Sequence, residues 1–486
     1  VIGSGQHGEA TQVRIRGINT FGVNAPLYVI VGVPTQTITD FNPNDVASIQ
    51  VLKDAGAASI YGSRASNGVI IITTKKGRTG RPVVAYDAYY GTQTPRHGNV
   101  FRILSPQDMA QLKFNALSNS GTPVTGTSAD PLYGVGPGPV LPDYIFPEGA
   151  KEGDPSVDPS LYYINPNYTD QGDYNNFYHI VRANKRGTDW YHTVFAHAPI
   201  NSQNISVSGA TDKAKYLMSF NYYDQQGILM KTYLRKYTIR ANTSFNVSKA
   251  IRVGENLSYS ISMNPHIDAL QAYSGVAYTF REQPIIPVYD VKGNYAGNYG
   301  GQLGDSHNPV AVQQRTSNDR TQDNRLFGNV YAEADIVKGL TLRTSFGGSV
   351  TNGQSHSFSW PTYEDQENQL TNSYTEDSYY GNTWTWTNTV QYNKVFAGVH
   401  SLQLLLGTEA YDSHSGTLHG TTFGYFVFDP NFTTLTTGSG SVQSASTRAS
   451  EGLWSQFARF DYGFKDRYLL SGTLRRDGSS KFKTHQ

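Results

Sequence analysis

NPNDVASIQVLKDAGAASIYGSRASNG, residues 42–68, is the stretch that decides the fold of this chain. It lies between two short apolar segments, PLYVIVGVP at 26–34 and VIIITTKKG at 69–77. Asn42 followed by Pro43 indicates a helix start, because the Asn side chain can cap a helix and proline suits the first helical position. Asp54 is placed to cap a second short helix that ends at Gly62. Four strands are predicted around these helices, at Val13–Arg16, Leu27–Val31, Ile49–Lys53 and Val69–Lys75. Residues 1–80 are therefore predicted to be a small α/β domain.

Residues 81–486 carry almost no helix signal and alternate with period two. In Tyr237–Ser248 one face is largely apolar and the other is polar, with Thr238, Arg240 and Asn242 on the polar side. The segment Ile251–Met263 alternates in the same way. Strands of soluble sandwiches average about 5–6 residues. Runs of about 10–14 residues with one apolar and one polar face instead suit tilted strands that cross a membrane around a wet interior.

The connections between these strands have a second regularity. Very short turns, such as Lys249–Ala250 and Lys338–Gly339, alternate with long connections. The long connections are predicted near 95–202, 264–324, 355–378 and 414–451. Short periplasmic turns that alternate with long extracellular loops are typical of outer-membrane barrels.

The strand count predicts an antiparallel transmembrane β-barrel that this chain forms in part. About eleven strands can be counted, whereas bacterial single-chain barrels have an even number and must close. We therefore expect the chain to be the first half of a barrel of about 22 strands, with the α/β domain as a plug in the lumen.

Composition excludes several classes of protein. The net charge is +1 and charged residues make up 16% of the chain, which argues against a nucleic-acid partner. Mean hydropathy is −0.46, and no apolar run is long enough for a membrane helix. Cysteine is absent, which rules out disulfides and Cys nucleophiles. The N-terminal sequence VIGSGQHGEA is not a signal peptide.

The plug sequence resembles that of the SusC/RagA-type TonB-dependent transporters. The family has an arginine-glycine strand like Arg14, Arg16 and Gly17, and PLYVIDG, VLKDA and YGSRAANGV segments like those quoted above. The resemblance continues into the barrel through SVSGATDKAKY, RKYTIRANTSF, QPIIPVYDVKGNYAG, HSLQLLLGTEAY and LRRDGSSKF. It covers nearly the whole chain.

The resemblance implies active import of a glycan oligosaccharide or a peptide across the outer membrane of a Gram-negative bacterium. The implied partners are a SusD-like surface lipoprotein, the TonB–ExbB–ExbD energising complex and outer-membrane lipid. No enzymatic activity and no cofactor are expected. The motif residues implied to act in gating are Arg14, Arg16, Gly17, Pro26, Tyr28, Gly32, Asn42, Pro43, Asp45, Lys53, Asp54, Tyr61, Gly62, Arg64, Asn67 and Gly68.

Two departures from the family pattern concern coupling. Val31 stands where the family usually has Asp, so an ion pair made by that residue is absent or replaced. The TonB box of the family would precede residue 1, so energy coupling is carried over from the resemblance alone.

Several weaker signals remain open. Asp45, Lys53, Asp54 and Arg64 are candidates for ion pairs between plug and barrel, with ordinary surface charges as the alternative. A tyrosine- and amide-rich loop is a candidate for ligand contact, with an ordinary packed loop as the alternative; its residues are Tyr289, Asp290, Asn294, Tyr295, Asn298 and Tyr299.

No sequence motif for phosphate or metal binding is complete. The glycines of YGSRASNG are not followed by the Lys-Ser/Thr of a phosphate-binding loop. His192 and His197 lack an HExxH partner. The stretch Asp154–Ser160 lacks the EF-hand spacing, although a loop calcium site there is an open alternative.

Two other functions compete with import. A passive porin would not need a separate α/β plug, because an infolded loop would narrow its pore. A soluble β-rich carbohydrate-binding or adhesin protein would dissolve without detergent and would show no heat-modifiable band on gels.

Overall fold

The computed structural model describes residues 13–15, 24–38, 41–53, 55–77, 80–121, 130–146, 180–265, 274–291, 293–300, 303–465 and 467–482. Arg16, Gly17, Asp54 and the Asp154–Ser160 stretch lie outside the described residues. The predictions made for those positions therefore stay predictions.

The α/β domain contains a four-stranded sheet. Its strands are β1 (Leu27–Ile30), β2 (Val33–Thr35), β3 (Val46–Leu52) and β4 (Val69–Thr74). Their order is β2-β1-β4-β3, and β1 and β4 are parallel. The predicted strand at Val13–Arg16 is wrong, because residues 13–15 are outside any strand. The fourth strand is β2 instead, since positive φ angles at Val31 (50°) and Gly32 (88°) make the tight turn that folds it back on β1.

The predicted helix start at Asn42 is confirmed. The Asn42 side chain accepts a hydrogen bond from Asn44 N (3.0 Å) and caps a one-turn 3₁₀ helix, Pro43–Asp45. The second helical region consists of α1 (Ala55–Ala58) and the 3₁₀ segment Ser59–Ala65. Gly62, predicted to end this region, lies at a kink inside it with φ 69°. The region continues to Ala65 because Gly62 supplies the bend that a residue with a side chain would resist.

The predicted antiparallel barrel sheet of eleven strands is confirmed. Its order is β17-β16-β15-β14-β13-β12-β11-β10-β9-β8-β5. The strands are β5 (Gly80–Gln93), β8 (Ala198–Ala210), β9 (Ala214–Gln226), β10 (Tyr233–Asn246), β11 (Ile251–Asn264), β12 (Arg320–Val337), β13 (Leu340–Ser359), β14 (Ser373–Phe396), β15 (His400–Phe423), β16 (Gln443–Phe464) and β17 (Tyr468–Ser479). Two further strands, β6 (Tyr144–Ile145) and β7 (Val181–Arg182), form a separate small ribbon.

Two of the predicted long connections are shorter than expected. The connections near 355–378 and 414–451 shrink to 360–372 and 424–442, because β13 to β16 each continue beyond the predicted strand ends. The added parts are rich in Ser and Thr, whose hydroxyls pair across strands, as Thr417 and Thr447 do at 2.6 Å. Such polar pairs stabilise a sheet that has no apolar face. The added parts of β13 to β16 therefore lack the alternation of apolar and polar residues by which the strands were predicted.

The large sheet has its polar face buried and its apolar face exposed. On β10, Ile239 is 57% exposed whereas its neighbour Arg240 is 3% exposed. Phe346 on β13, Trp386 on β14 and Leu406 on β15 are exposed in the same way. A water-soluble sheet buries its apolar face. The observed arrangement is the reverse, as in a membrane barrel.

The sheet curves around the small domain. Residues of the small domain contact inward-facing side chains of β8, β10, β12, β15 and β17. One apolar cluster of the domain, which includes Tyr28, Ile30 and Ile72, extends onto Phe327 of β12. A second cluster, with Leu27, Val29, Ala58, Ala65 and Val69, packs on the other side of the four-stranded sheet. The small domain therefore fills the concave side of the large sheet as a plug.

The long connections fold into a layer with its own hydrophobic core. This loop layer comprises the described parts of 94–197, 227–232, 265–319 and 360–372. It contains the helices α2 (Pro106–Asn119), α3 (Trp190–Val194), α4 (Gly275–Arg281) and α5 (Pro309–Arg315). Its core holds thirteen buried side chains, among them Phe114, Trp190 and Ile286. The expectation of almost no helix after residue 80 is thus wrong. Helix α2 buries only Pro106, Ala110 and Phe114, so its apolar periodicity is weak.

No helix in the described part of the chain has the length and hydropathy needed to cross a membrane.

Candidate functional site

A buried charge cluster joins the plug to the barrel wall. Arg64 Nη2 of the plug lies 2.6 Å from Glu409 Oε1 of β15. Arg475 Nη2 of β17 lies 2.9 Å from the same carboxylate oxygen, and its Nη1 donates to the Ile60 carbonyl (2.5 Å). Arg475 also pairs with Asp477 (2.7 Å). We call these residues the Arg64 cluster. The predicted ion pair of Arg64 with the barrel is therefore present.

Gly62 allows this cluster to form. A Cβ atom added at Gly62 would lie 2.5 Å from Asp477 Oδ2 and 2.8 Å from Arg475 Nε. The plug backbone thus lies directly against two charged side chains of β17. Nearby, burial and the Glu409 carboxylate raise the pKa of Tyr61, which keeps this phenol neutral.

Asp45 makes the second contact of opposite charges. Its carboxylate accepts a hydrogen bond from Ser219 Oγ (3.0 Å) and lies 3.9 Å from Arg240 Nη1. The side chains of Asp45 and Arg240 are 5% and 3% exposed. Burial raises the pKa of Asp45, and Arg240 and the Ser219 hydroxyl offset part of that rise. The predicted Asp45 pair is therefore also present, although at a longer distance than the Arg64 pair.

Further hydrogen bonds supplement these two contacts between opposite charges. Asn42 Nδ2 donates to Asn204 Oδ1 (3.0 Å), and Arg325 Nη2 donates to Thr35 Oγ1 (3.1 Å). Asn329 Nδ2 reaches the carbonyl of Val31 at 3.4 Å. Asn329 thus bonds the backbone of Val31 and not its side chain. The family usually has Asp at this position, and the Asn329 bond does not replace an ion pair made by that Asp.

The other motif residues have structural positions in the plug. Pro26, Tyr28 and Asn67 are buried, whereas Arg14, Pro43 and Lys53 are exposed. Lys53 makes no ion pair with any residue that the structure describes, so its predicted pair is not found. Gly32 and Gly68 have φ angles of 88° and 92° and occupy turns. Thus Asn42, Asp45 and Arg64 make polar side-chain contacts with the wall, whereas the other described motif residues have positions within the plug.

A chamber of about 770 Å³ lies between the plug and the wall. Plug residues Pro34–Thr37, Ser63 and Arg64 form its floor, and strands from β10 to β17 form its side. Nine Ser and Thr side chains line it: Thr35, Thr37, Ser63, Ser262, Ser349, Thr351, Thr383, Ser413 and Ser479. Four basic and three acidic side chains nearly balance: Arg64, Lys236, Arg325 and Lys481 against Asp323, Glu451 and Asp477. The lining is rich in hydroxyl groups and close to neutral, and it also includes apolar side chains such as Leu27, Leu234 and Leu453.

The tyrosine- and amide-rich loop is mostly occupied by its own hydrogen bonds. Asp290 Oδ1 accepts from Asn294 N (2.9 Å), and Asn298 Nδ2 donates to the Gly304 and Ser306 carbonyls (2.6 and 3.0 Å). Asp290, Asn294 and Asn298 are all buried. Their amide and carboxylate groups hold the loop, as the packed-loop alternative predicted.

Two tyrosines of this loop form an accessible aromatic pair. The rings of Tyr289 and Tyr295 stack with centroids 5.7 Å apart, and Tyr289 is 51% exposed. Tyr299, the remaining predicted contact, is half-buried and its backbone N–H donates to the Glu364 carbonyl (3.1 Å). The accessible side chains of this loop are thus its tyrosines, and their contact with a ligand stays a prediction.

Within the described residues, no group of three or more His, Asp or Glu side chains is arranged to hold a metal ion. His192 bonds Asp189 (2.7 Å) and His197 bonds Thr94 (3.2 Å), so both histidines have local hydrogen-bonding roles.

Sequence reasoning missed the wall partners of the plug. Glu409 and Arg475 sit in motifs that the resemblance already included, GTEAY and LRRDG. A charged residue on the lumen face of a barrel strand needs no partner, since that face is wet. Their burial became evident only when the plug was placed against them.

The fold and the site together define a plugged β-barrel. Residues 1–69 match the model of the TonB-dependent receptor plug domain. A TonB-dependent receptor of Formosa agariphila is 27% identical over 99% of this chain and 43% of its own length. The TonB-dependent receptor SusC of Bacteroides thetaiotaomicron is 26% identical over 99% of this chain and 44% of its own length. The chain thus spans less than half the length of these curated relatives.

Solved structures support the fold. The RagAB peptide transporter matches 97% of this chain and 51% of its own chain, with a TM-score of 0.75 and 23% identity. At that identity the match concerns the fold alone. Residues 1–69 thus form a TonB-dependent receptor plug, and the chain along nearly its whole length is similar to SusC in sequence and to RagAB in fold, as the SusC/RagA resemblance predicted.

Proposed function

We propose that this chain forms the plug and part of the barrel of an active importer in the outer membrane of a Gram-negative bacterium. The observation that carries the proposal is the way the plug is held. Charged and amide contacts, led by the Arg64 cluster, make up much of its contact with the wall. Polar contacts can exchange for water when the plug moves, whereas a continuous apolar interface would resist displacement.

The energising complex would be TonB–ExbB–ExbD, and a SusD-like lipoprotein would close the outer mouth. Both are supported by likeness to SusC and to the RagAB structures. The chamber above the plug would receive the substrate, which we infer to be a glycan oligosaccharide or a peptide. Its hydroxyl-rich and nearly neutral lining suits uncharged polar ligands, because every hydroxyl can both donate and accept a hydrogen bond.

The loop tyrosines would add a stacking surface. Tyr289 offers an exposed ring that Tyr295 supports from behind. Replacing Tyr289 by Ala should weaken oligosaccharide binding by about 1–3 kcal/mol if the pair contacts the ligand, a range taken from base stacking on aromatic side chains. Calorimetry with neutral oligosaccharides and with peptides of equal length would identify the substrate class.

A reversible lock on the plug tests the proposal. The chain has no cysteine, so Asn42→Cys with Asn204→Cys would place one thiol on the plug and one on the wall, which a short bis-methanethiosulfonate reagent can join through two disulfides. We expect cells treated with this reagent to lose uptake and a reductant to restore it, with each single Cys variant as control. Deletion of TonB should abolish uptake as well. Uptake that survives both treatments would show a passive porin.

The two rival functions lack support of this kind. A porin needs an open lumen, whereas the plug occupies the concave side of the sheet. A soluble adhesin needs a polar outer surface, whereas Ile239, Phe346 and Leu406 face outward.

A further inference from the structure

Three carboxyl groups are buried together in the loop layer. Glu282 follows helix α4, and Glu364 and Asp365 belong to the segment 360–372. All three side chains are at most 2% exposed. They join two loops that are about 80 residues apart in the sequence. We call them, with Ser306, His307 and Arg315, the Glu282 cluster.

Two of the three carboxyl groups have basic partners. Arg315 Nη1 and Nη2 bind Glu364 Oε1 and Oε2 at 2.5 and 2.9 Å, which is a bidentate pair. His307 Nδ1 bonds Asp365 Oδ2. With Arg315 and His307 charged, these two pairs are neutral. No positive charge of the cluster then remains for Glu282.

Glu282 itself has no hydrogen-bond partner. Neither of its carboxyl oxygens bonds any group in the described part of the chain. The Ser306 hydroxyl faces it without a hydrogen bond of normal length. The nearest cation on its own helix, Arg281, turns outward and pairs with the exposed Asp305 (2.9 Å). A buried, unpaired carboxylate is strongly unfavourable, and such a group takes up a proton instead.

We propose that Glu282 is a protonated carboxylic acid, and that this uncharged form lets the two loops pack together, so that their contact loosens as the pH rises. This inference concerns the stability of the loop layer and does not depend on the proposed transport function. The bound species is one proton. When Glu282 loses this proton, its negative charge is repelled by the neighbouring carboxylates of Glu364 and Asp365.

The surrounding groups determine the sign of the effect. Burial raises the pKa of Glu282 well above its usual range, and Asp365 and Glu364 add to the rise. Burial and Glu364 also raise the pKa of Asp365, while the Asp365 hydrogen bond raises that of His307. Each of these groups binds a proton more tightly in the folded loop than in the open one. Their contributions are therefore complete at low pH and are lost as the pH rises.

Glu364 has the opposite sign. Burial raises its pKa, but Arg315 and its hydrogen bonds outweigh burial and the net pKa is lowered. Its contribution is lost only as the pH falls below the ordinary glutamate range. The loss of loop-layer stability at high pH therefore comes from Glu282, Asp365 and His307. A substitution of Glu282 removes the Glu282 contribution alone.

Glu282→Gln distinguishes the contribution of Glu282 from those of Asp365 and His307. The amide has the shape of the protonated acid and cannot ionise. We expect hydrogen exchange of peptides from 275–315 and 360–372 to match the wild type at about pH 5 and to be slower than the wild type at about pH 8, with the ratio growing by up to about tenfold per pH unit. Glu367→Gln is the matched control, because Glu367 is an exposed glutamate of the segment 360–372, and it should follow the wild type.

A spectroscopic measurement keeps the test independent of folding. At about pH 8, a difference infrared spectrum of the wild type minus Glu282→Gln should show the C=O band of one protonated carboxyl group. Equal exchange in wild type and Glu282→Gln at every pH would overturn the proposal. So would a loop layer that calcium protects and chelators loosen at constant pH, since the positive charge would then be a metal ion.

Discussion

Glu409 stands between two arginines, Arg64 of the plug and Arg475 of the wall. All three side chains are at most 18% exposed. At the scale of single residues, such a cluster is sensitive to the loss of one member. The remaining charges would stay buried without compensation.

Glu409→Gln should therefore loosen the plug. We expect a loss of about 3–5 kcal/mol in the free energy of plug unfolding, measured by urea titration with a fluorescent label on the plug. Glu451→Gln removes the charge of a partly exposed pair with Lys481, keeps an acceptor for the Tyr411 hydroxyl and should cost less than about 1 kcal/mol. Equal effects of the two substitutions would show that the Arg64 cluster does not hold the plug.

Asp319 lies outside the Glu282 cluster, and its raised pKa predicts a further dependence of stability on pH. Burial raises the pKa of Asp319 to about 7, and its Oδ1 accepts a hydrogen bond from Phe358 N (3.0 Å). A raised carboxyl pKa means that stability is lost as the pH rises from about 4 to about 7. Asp319→Asn keeps an acceptor for Phe358 N and removes the ionisation.

At about pH 8 this variant should protect the segments around 319 and 358 from hydrogen exchange more than the wild type does, by up to about 4 kcal/mol. At about pH 4 the two proteins should agree. A variant that is less stable at both pH values would show that Asp319 acts as a charged acceptor.

Single residues were predicted unevenly from the sequence. Asn42 as a helix cap, Asp45 and Arg64 followed from local patterns and from family motifs. Glu409 could not be matched to Arg64, because 345 positions separate them and period-two alternation gives only the face of a residue. Lys53 was a candidate for an ion pair with the wall, and it is exposed, as the surface-charge alternative predicted, since charge alone does not indicate which side of the plug meets the wall.

At the scale of the secondary-structure element, strand β10 shows that the apolar face of the sheet is exposed and the polar face is buried. Ile239 and Arg240 are neighbours whose exposures are reversed relative to a soluble protein. The period of two was visible in the sequence, and so were the eleven strands. The ends of β13 to β16 were not, because the strand pairing there depends on Ser and Thr hydroxyls.

Ile239→Arg tests what the outer face contacts. In lipid vesicles we expect a loss of about 2–4 kcal/mol in folding stability, because the guanidinium would lie near the middle of the bilayer. Val247→Arg, on the same face just after the end of β10, should cost at most about 1 kcal/mol, as expected near the interface. Changes within about 0.5 kcal/mol at both positions would indicate a face in water.

The loop layer was the element least accessible to prediction. Its core residues come from several separate stretches of chain, and helix α2 exposes most of its side chains. The signal that could have revealed α2 is its start, Ser105-Pro106 followed by Asp108, where the Ser105 hydroxyl caps Asp108 N (3.1 Å).

Helix α2 supplies a matched pair of substitutions. Phe114 is buried in the core of the loop layer, whereas Leu112 is 54% exposed. Phe114→Ala should destabilise the layer by about 3–5 kcal/mol, and Leu112→Ala should change it by less than about 1 kcal/mol. Limited proteolysis would show early cleavage within 94–197 for Phe114→Ala only, with the barrel intact. Equal resistance of both variants would mean that the core does not stabilise the loops.

At the scale of the whole molecule, three bodies are stacked: a plug, a wall around it, and a loop layer with its own core. The wall and plug were predicted from strand alternation and family motifs, which are both local properties of the sequence. The chamber and the loop layer depend on contacts between distant segments. They needed the three-dimensional structure.

The central claim is that the apolar face of the sheet meets lipid while the polar face surrounds the plug. The chain contains no cysteine, so a fluorescent label can be placed at one introduced Cys at a time and quenched by bromine-labelled lipid. Labels at Phe346 and Leu406, which face outward, should be strongly quenched. Labels at Ser345 and Thr385, which lie on the opposite, polar face of the sheet, should be unaffected. Equal quenching at all four positions, or none at Phe346 and Leu406, would contradict the account.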